Sequence, residues 1–134
     1  MRLVVIILTI KKKILIIDDE EDITFILRII LERNNFTVYT FNDPIIALSN
    51  YHPHCYDLVI LDLKLPQISG FEIHDRIRAM DRETKVCFLT SSELIHEKYL
   101  NNQCNRADKK LFIQKPVENQ LLVRKINDML NDNL

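Results

Sequence analysis

From Lys13 onward, short β-rich apolar runs alternate with longer segments of helical period, five of each. This alternation predicts an α/β domain with a parallel sheet. Residues 14–17 form a continuous apolar run closed by Asp18-Asp19, as a strand buried on both faces reads. Ile23, Ile26, Leu27, Ile30 and Leu31 then recur at steps of three and four, with Glu20, Glu21 and Asp22 at the favourable positive end of the helix. Asn34-Asn35 ends it. Residues 36–40 are a second strand, and Asp43-Pro44 supplies an N-cap and a first-turn proline for a short helix through Ser49. The third strand, 58–61, ends in Asp62, and a loop with Pro66 and Gly70 leads to a helix marked by Ile73, Ile77 and Met80. The fourth strand, 86–89, ends at Thr90, and a helix is expected around 93–101. The fifth strand, 111–114, runs into Lys115-Pro116, and Leu121, Leu122, Ile126, Met129 and Leu130 mark a closing amphipathic helix.

Composition narrows the function classes. The 134 residues are 47% hydrophobic and 28% charged, enough for one domain whose core needs no disulfide or metal support. With 18 basic and 19 acidic side chains there is no electropositive field for direct nucleic-acid binding. Gly70 is the one glycine, which excludes P-loops and dinucleotide fingerprints, since both need several. Cys55, Cys87 and Cys104 are odd in number and form no C-x-x-C pair, so they read as reduced, small apolar residues of a cytoplasmic chain. The apolar run 3–10 is far short of the roughly 20 residues that span a bilayer. It is followed by Lys11, Lys12 and Lys13 instead of a cleavage site. Residues 1–11 therefore read as an extension or leader, and 12–134 as the domain.

Candidate chemistry gathers at strand ends. In an open parallel sheet, ligands bind outside the carboxyl ends of the strands, where strand order reverses. With strand order 2-1-3-4-5, Asp18-Asp19, Asp62, Thr90 and Lys115 become neighbours. Three carboxylates in one pocket repel, and one lysine cannot neutralise them, so the set calls for a divalent cation. Mg²⁺ suits oxygen ligands used together with phosphate oxygens. Asp62 is then available as a nucleophile for a phosphoryl group, with the metal, a hydroxyl and an ammonium placed to stabilise charge.

From about Lys12 to the last helix, these residues resemble the receiver domains of two-component response regulators. The acidic pair looks like Asp18 and Asp19, and the phosphoacceptor like Asp62, followed at the expected intervals by Pro66 and Gly70. The switch hydroxyl looks like Thr90, the switch aromatic like Phe112, and the lysine with its following proline like Lys115-Pro116. The resemblance implies a flavodoxin-like, doubly wound α/β/α sandwich. It also implies phosphoryl transfer to Asp62 from a sensor histidine kinase or a histidine phosphotransfer protein. Mg²⁺ would be held by Asp19 directly, by Asp18 largely through water, and by Asp62 and the backbone carbonyl of Lys64. Thr90 and Lys115 would contact phosphoryl oxygens, Phe112 would turn into the space that Thr90 vacates, and Pro116 would follow a cis peptide. Output would be a protein bound at the face made by the 93–101 helix, the fifth strand and the closing helix, or a second copy of the chain. Lys64 and Ser92 would flank the path of the water that attacks the acyl phosphate.

Each residue alone has a plainer reading: Asp18 to Asp22 as a solvated helix start, Asp62 as a turn residue, Phe112 as core. His52, His54 and Cys55 lack a fourth ligand and match no strong zinc spacing, so they read as a surface loop; His74 and His96 read as helix surface. Three functions follow. The leading one is a stand-alone phosphoacceptor with no separate turnover substrate. The second is a receiver-like module that has stopped using phosphate. The third is a Mg²⁺-dependent phosphohydrolase of the haloacid dehalogenase type, disfavoured because Asp18-Asp19-Glu20 stands where that family has D-x-D.

Overall fold

The computed structural model describes residues 10–91, 112–115 and 118–131. The elements are β1 (Lys13–Ile17), α1 (Glu21–Arg33), β2 (Thr37–Phe41), α2 (Pro44–Ser49), β3 (Leu58–Asp62), α3 (Gly70–Met80), β4 (Lys85–Thr90), β5 (Phe112–Gln114) and α4 (Asn119–Asn131). All strand pairs are parallel, in the order β2-β1-β3-β4-β5. The expected 93–101 helix, Leu111, Ser92, His96, Cys104, Pro116 and residues 1–9 lie outside the described residues.

Strand alternation divides the interior into two cores. Ile14, Ile16, Leu58, Ile60, Cys87, Leu89 and Ile113 face one side, where Leu27, Ile30 and Leu31 of α1 and Leu122, Ile126 and Met129 of α4 cover them. Leu15, Ile17, Val59, Leu61, Val86, Phe88 and Phe112 face the other, under Ala47 of α2 and Ile73 and Ile77 of α3. Because β1 and β3 are covered on both faces, their sequences are unbroken apolar runs up to the aspartates.

Local chemistry sets the helix starts. The Asp43 carboxylate accepts from the N–H groups of Ile45 and Ile46, and the Ser69 hydroxyl accepts from the Glu72 N–H. At the end of α1, Asn34 donates its side-chain amide to the Ile30 carbonyl at 2.7 Å, and Asn35 takes a left-handed φ of 72°.

Two sequence expectations, the start of the second strand and the place of Gly70, are corrected. The second strand begins at Thr37, not Phe36, because the Phe36 N–H still bonds to Leu31 at the end of α1 while the Thr37 N–H bonds to Lys12. Met80 closes α3 as its sequence position expects, and it is exposed, while Asp81 just beyond it is buried. Cys55 lies exposed in its loop, as its surface reading expects, while Cys87 is core; burial pushes the Cys87 thiol up to about 12. Gly70 belongs to α3 as its first residue.

Gly70 is required for space. A Cβ there would lie 2.5 Å from the Asp62 carbonyl oxygen and 3.0 Å from the Leu63 Cα. Both obstacles are backbone of the segment that carries Asp62, so neither yields cheaply. Helix propensity alone favours alanine over glycine by about 1 kcal/mol. Gly70→Ala is nevertheless expected to lower unfolding free energy by about 1–3 kcal/mol, the cost of forcing atoms into a packed contact. Urea denaturation checks this; a gain in stability would show that the approach of α3 to β3 is not tight.

Candidate functional site

The carboxyl ends of β1, β3, β4 and β5 lie together at one edge of the sheet. Asp18 follows β1 and is fully buried. Its Oδ1 accepts from the Glu20 N–H at 3.0 Å and its Oδ2 from Lys115 Nζ at 2.7 Å. Its backbone is pinned too: the N–H donates to the Phe41 carbonyl at 3.1 Å, and the carbonyl accepts from Asn42 Nδ2 at 2.8 Å. Asn42 also bonds to Thr24 at 3.0 Å, joining β2 to α1 behind the acid.

Asp62 ends β3 and is buried. Its Oδ1 accepts from the Lys64 N–H at 3.1 Å and its Oδ2 from Lys115 Nζ at 3.3 Å. Lys115 is held where it can serve both acids, because its N–H donates to the carbonyl of Thr90 at 2.7 Å, tying the residue after β5 to the end of β4. Thr90 itself is buried.

The structure thus brings together Asp18, Asp62, Lys115 and Thr90. It adds Glu20, which sequence reasoning used only for its charge at the helix start. A carboxylate oxygen from each of Asp18, Glu20 and Asp62 falls within 4.8 Å of the others, and Glu20 Oε1 is 3.8 Å from Lys115 Nζ. Asp19 is exposed and falls outside that set. Lys64 is exposed, with its N–H on Asp62, and Pro66 lies exposed in the β3–α3 loop. Phe112 is buried and stacked on Phe88, with ring centroids 5.2 Å apart. His52, His54 and Cys55 are exposed and form no metal-ligand group among the described residues. His74 is half-buried, its ring 5.7 Å from that of Phe88, a packing role its sequence context did not reveal.

The charges do not balance. Burial and the neighbouring Asp18 charge push Asp62 up to about 6, against the opposing pull of Lys115 and the Lys64 N–H. Burial pushes the Lys115 ammonium down, but its bonds and charge contacts with Asp18 and Asp62 outweigh that and hold it above its ordinary value. One cation is therefore shared among three carboxylates, a donor set whose hard oxygens and excess charge fit a divalent metal such as Mg²⁺.

An open parallel sheet with an acidic pocket and a lysine outside the carboxyl ends of its strands defines a doubly wound α/β domain with its candidate site where such sheets bind ligands. Residues 14–127 match the model of the response regulator receiver domain. The chain belongs to that family, the receiver domains of two-component systems. It is 32% identical over 113 residues to the uncharacterized transcriptional regulatory protein YkoG of Bacillus subtilis, covering 84% of this chain and 48% of that protein. The chain therefore spans about half the length of the curated relatives it matches. Among solved structures, the CheY-like response regulator receiver domain protein of Methanospirillum hungatei superposes with a TM-score of 0.74 at 25% identity, covering 91% of this chain and 95% of that one. The response regulator protein TrrA of Thermotoga maritima, in complex with Mg(2+)-BeF, gives 0.73 at 28% identity over 88% of this chain and 98% of that one. No helix among the described residues is long and apolar enough to cross a membrane.

The raised Asp62 has a stability consequence. An unfolded aspartate loses its proton near pH 3.8, whereas the folded one keeps it to about pH 6. Folding is therefore progressively disfavoured as pH rises between those values, by roughly 3 kcal/mol once both states are ionised. Asp62→Asn cannot ionise and leaves Lys115 its bond to Asp18. The variant is expected to be more stable than the parent above pH 6, by up to that amount, with the gain fading toward pH 4. Urea unfolding of both proteins across this range, without divalent metal, is the check.

Proposed function

We propose that Asp62 accepts a phosphoryl group from a phosphohistidine of a sensor histidine kinase or histidine phosphotransfer protein. The phosphorylated chain then signals by binding another protein. The observation that carries this reading is the single Lys115 ammonium bridging buried Asp18 and Asp62 while its backbone is fixed to Thr90.

The chain's own residues account for the transfer. An Asp62 carboxylate oxygen attacks phosphorus, the P–N bond of the donor breaks, and the released imidazole nitrogen keeps the electron pair and takes up a proton. The Lys64 N–H orients one Asp62 oxygen and Lys115 sits at the other, leaving the ammonium placed to follow charge onto the phosphoryl oxygens. The Thr90 hydroxyl is the candidate for a second oxygen. Asp18 and Asp62, with Asp19 and the Lys64 carbonyl as the family pattern has them, or with Glu20 as the carboxylate cluster groups them, are the residues that would hold Mg²⁺. Bound there, the metal supplies positive charge that neutralises the acids and the incoming phosphoryl oxygens.

The chain acts as a switch without a separate turnover substrate, and a cytoplasmic setting fits a phosphohistidine donor. Residues 12–134 form the signalling domain. Its partner is a protein bound at the face that includes β5 and α4, or a second copy of the chain, with no direct nucleic-acid contact.

Incubation with acetyl phosphate and Mg²⁺ is expected to add one phosphoryl mass to the intact chain, and Asp62→Asn to abolish it. A folded chain that gains no mass from either acetyl phosphate or a phosphorylated histidine donor would favour a module that no longer uses phosphate.

Lys64 bears on the lifetime of the modification. Its exposed side chain stands two residues beyond Asp62, where it screens the approach of water to the acyl phosphate. Lys64→Ala is expected to speed loss of the phosphoryl mass several-fold in a timed mass measurement; an unchanged decay rate would remove the screening role.

A further inference from the structure

The ladder between β1 and β2 runs out at the first acid of the pocket. At its start the Thr37 N–H donates to the Lys12 carbonyl at 2.9 Å, and at its end the Asp18 N–H donates to the Phe41 carbonyl at 3.1 Å. Parallel ladders advance in two-residue steps, so in this register the next rung would bring the Asp43 N–H to the Asp18 carbonyl. Asp43 has already left the strand to cap α2, where its carboxylate accepts from the N–H groups of Ile45 and Ile46. Asn42 fills the missing rung with its side chain, and its Nδ2 donates to the Asp18 carbonyl at 2.8 Å.

The amide is itself held. Nδ2 donates its second proton to Thr24 Oγ1 at 3.0 Å, and Thr24, buried on α1, donates its own to the Glu21 carbonyl at 3.0 Å. Each proton in this relay has one acceptor, which fixes the end of the amide that faces Asp18. Both backbone groups of Asp18 are therefore tied to β2 and the residue after it. Rotation about the Asp18 ψ would carry Asp19 and Glu20 along, and the Glu20 N–H bonds back to Asp18 Oδ1 at 3.0 Å. Three consecutive acids share one anchor that lies outside their own cluster.

We propose that Asn42, oriented by Thr24, is a positioning residue for binding of a divalent cation, acting through the Asp18 carbonyl on the acids that follow. Mg²⁺ demands near-ideal octahedral geometry, so a donor set whose backbone turns loses affinity even when every carboxylate is still present. Loss of one neutral hydrogen bond behind a ligand residue corresponds to a change of about three- to tenfold. The cation part of this proposal rests on the reading that the acids take Mg²⁺; the setting of Asp18 by Asn42 does not.

Amide NMR of the full chain during titration with magnesium chloride, with no phosphodonor present, is the test. In the parent, the Glu20 and Lys64 amides, which donate to Asp18 and Asp62, are expected to shift together as metal is added. Asn42→Ala is expected to raise the magnesium dissociation constant about three- to tenfold. Without metal, its Glu20 amide should exchange with water several-fold faster while that of Leu27, inside α1, does not. Thr24→Val keeps the buried volume and removes the acceptor, so it should also weaken binding; Thr24→Ser loses volume but keeps the hydroxyl, and should stay near the parent. A purely structural role would follow the volume instead. Equal magnesium affinity in Asn42→Ala and the parent overturns the inference, as does a weakened Thr24→Ser beside an unchanged Thr24→Val. A parent whose Glu20 and Lys64 amides ignore magnesium counts against the cation reading itself. The metal-free Glu20 exchange rate in Asn42→Ala then decides alone whether Asn42 sets Asp18, and an unchanged rate refutes it.

Discussion

The ammonium of Lys115 is the contact on which the rest of the pocket depends. It reaches Asp18 at 2.7 Å and Asp62 at 3.3 Å, with Glu20 at 3.8 Å beyond them, so one positive charge links the segments after β1, β3 and β5. A buried carboxylate without such a partner would neutralise itself by taking a proton, and Asp62 moves partway in that direction because burial and the Asp18 charge outweigh the pull of Lys115. The ammonium is enough to keep the acids folded into one pocket and too little to satisfy them. That residual charge is what a divalent cation and a phosphoryl group would answer.

The fold places these groups by simple means. A strand covered by helices on both faces must be apolar throughout, so the first polar residue after it appears where the cover ends. In β1 and β3 that residue is an aspartate, and parallel pairing of the two strands sets the acids side by side. Gly70 then lets α3 begin against the carbonyl of Asp62, and Asn42 fastens the segment holding Asp18 from the β2 side.

Much of this was legible in the sequence. Unbroken apolar runs ending in acids located the strands, Asp43-Pro44 located a helix start, and the joint occurrence of Asp18, Asp62, Thr90 and Lys115 at strand ends outweighed the plain reading of each. What stayed hidden depends on side-chain direction across elements. Glu20 reads as an ordinary first-turn acid until its side chain is seen to share Lys115. Asn42 has no periodicity to mark it, and Phe88 looks like any core residue of a strand until β5 is paired beside it. The limits of β2 turned on a single bond, the Phe36 N–H returning to α1, which no pattern of apolar positions records.

Two buried aspartates show why burial alone does not identify the reactive one. Asp81 is as hidden as Asp62, and burial pushes both upward. Asp81, however, accepts from the His54 N–H at 3.0 Å, the Tyr51 hydroxyl at 2.9 Å and the N–H groups of Thr84 and Glu83 at 3.3 Å, and these donors carry it below its ordinary value. Its lone pairs are committed to joining the α3–β4 turn to the segment after α2, so it has nothing left with which to attack a ligand. Asp62 has one backbone donor and a shared lysine, faces another acid, and is held above its ordinary value. Its unspent acceptor capacity beside a cation, more than its depth, is what supports the proposal of Asp62 over Asp81 as nucleophile.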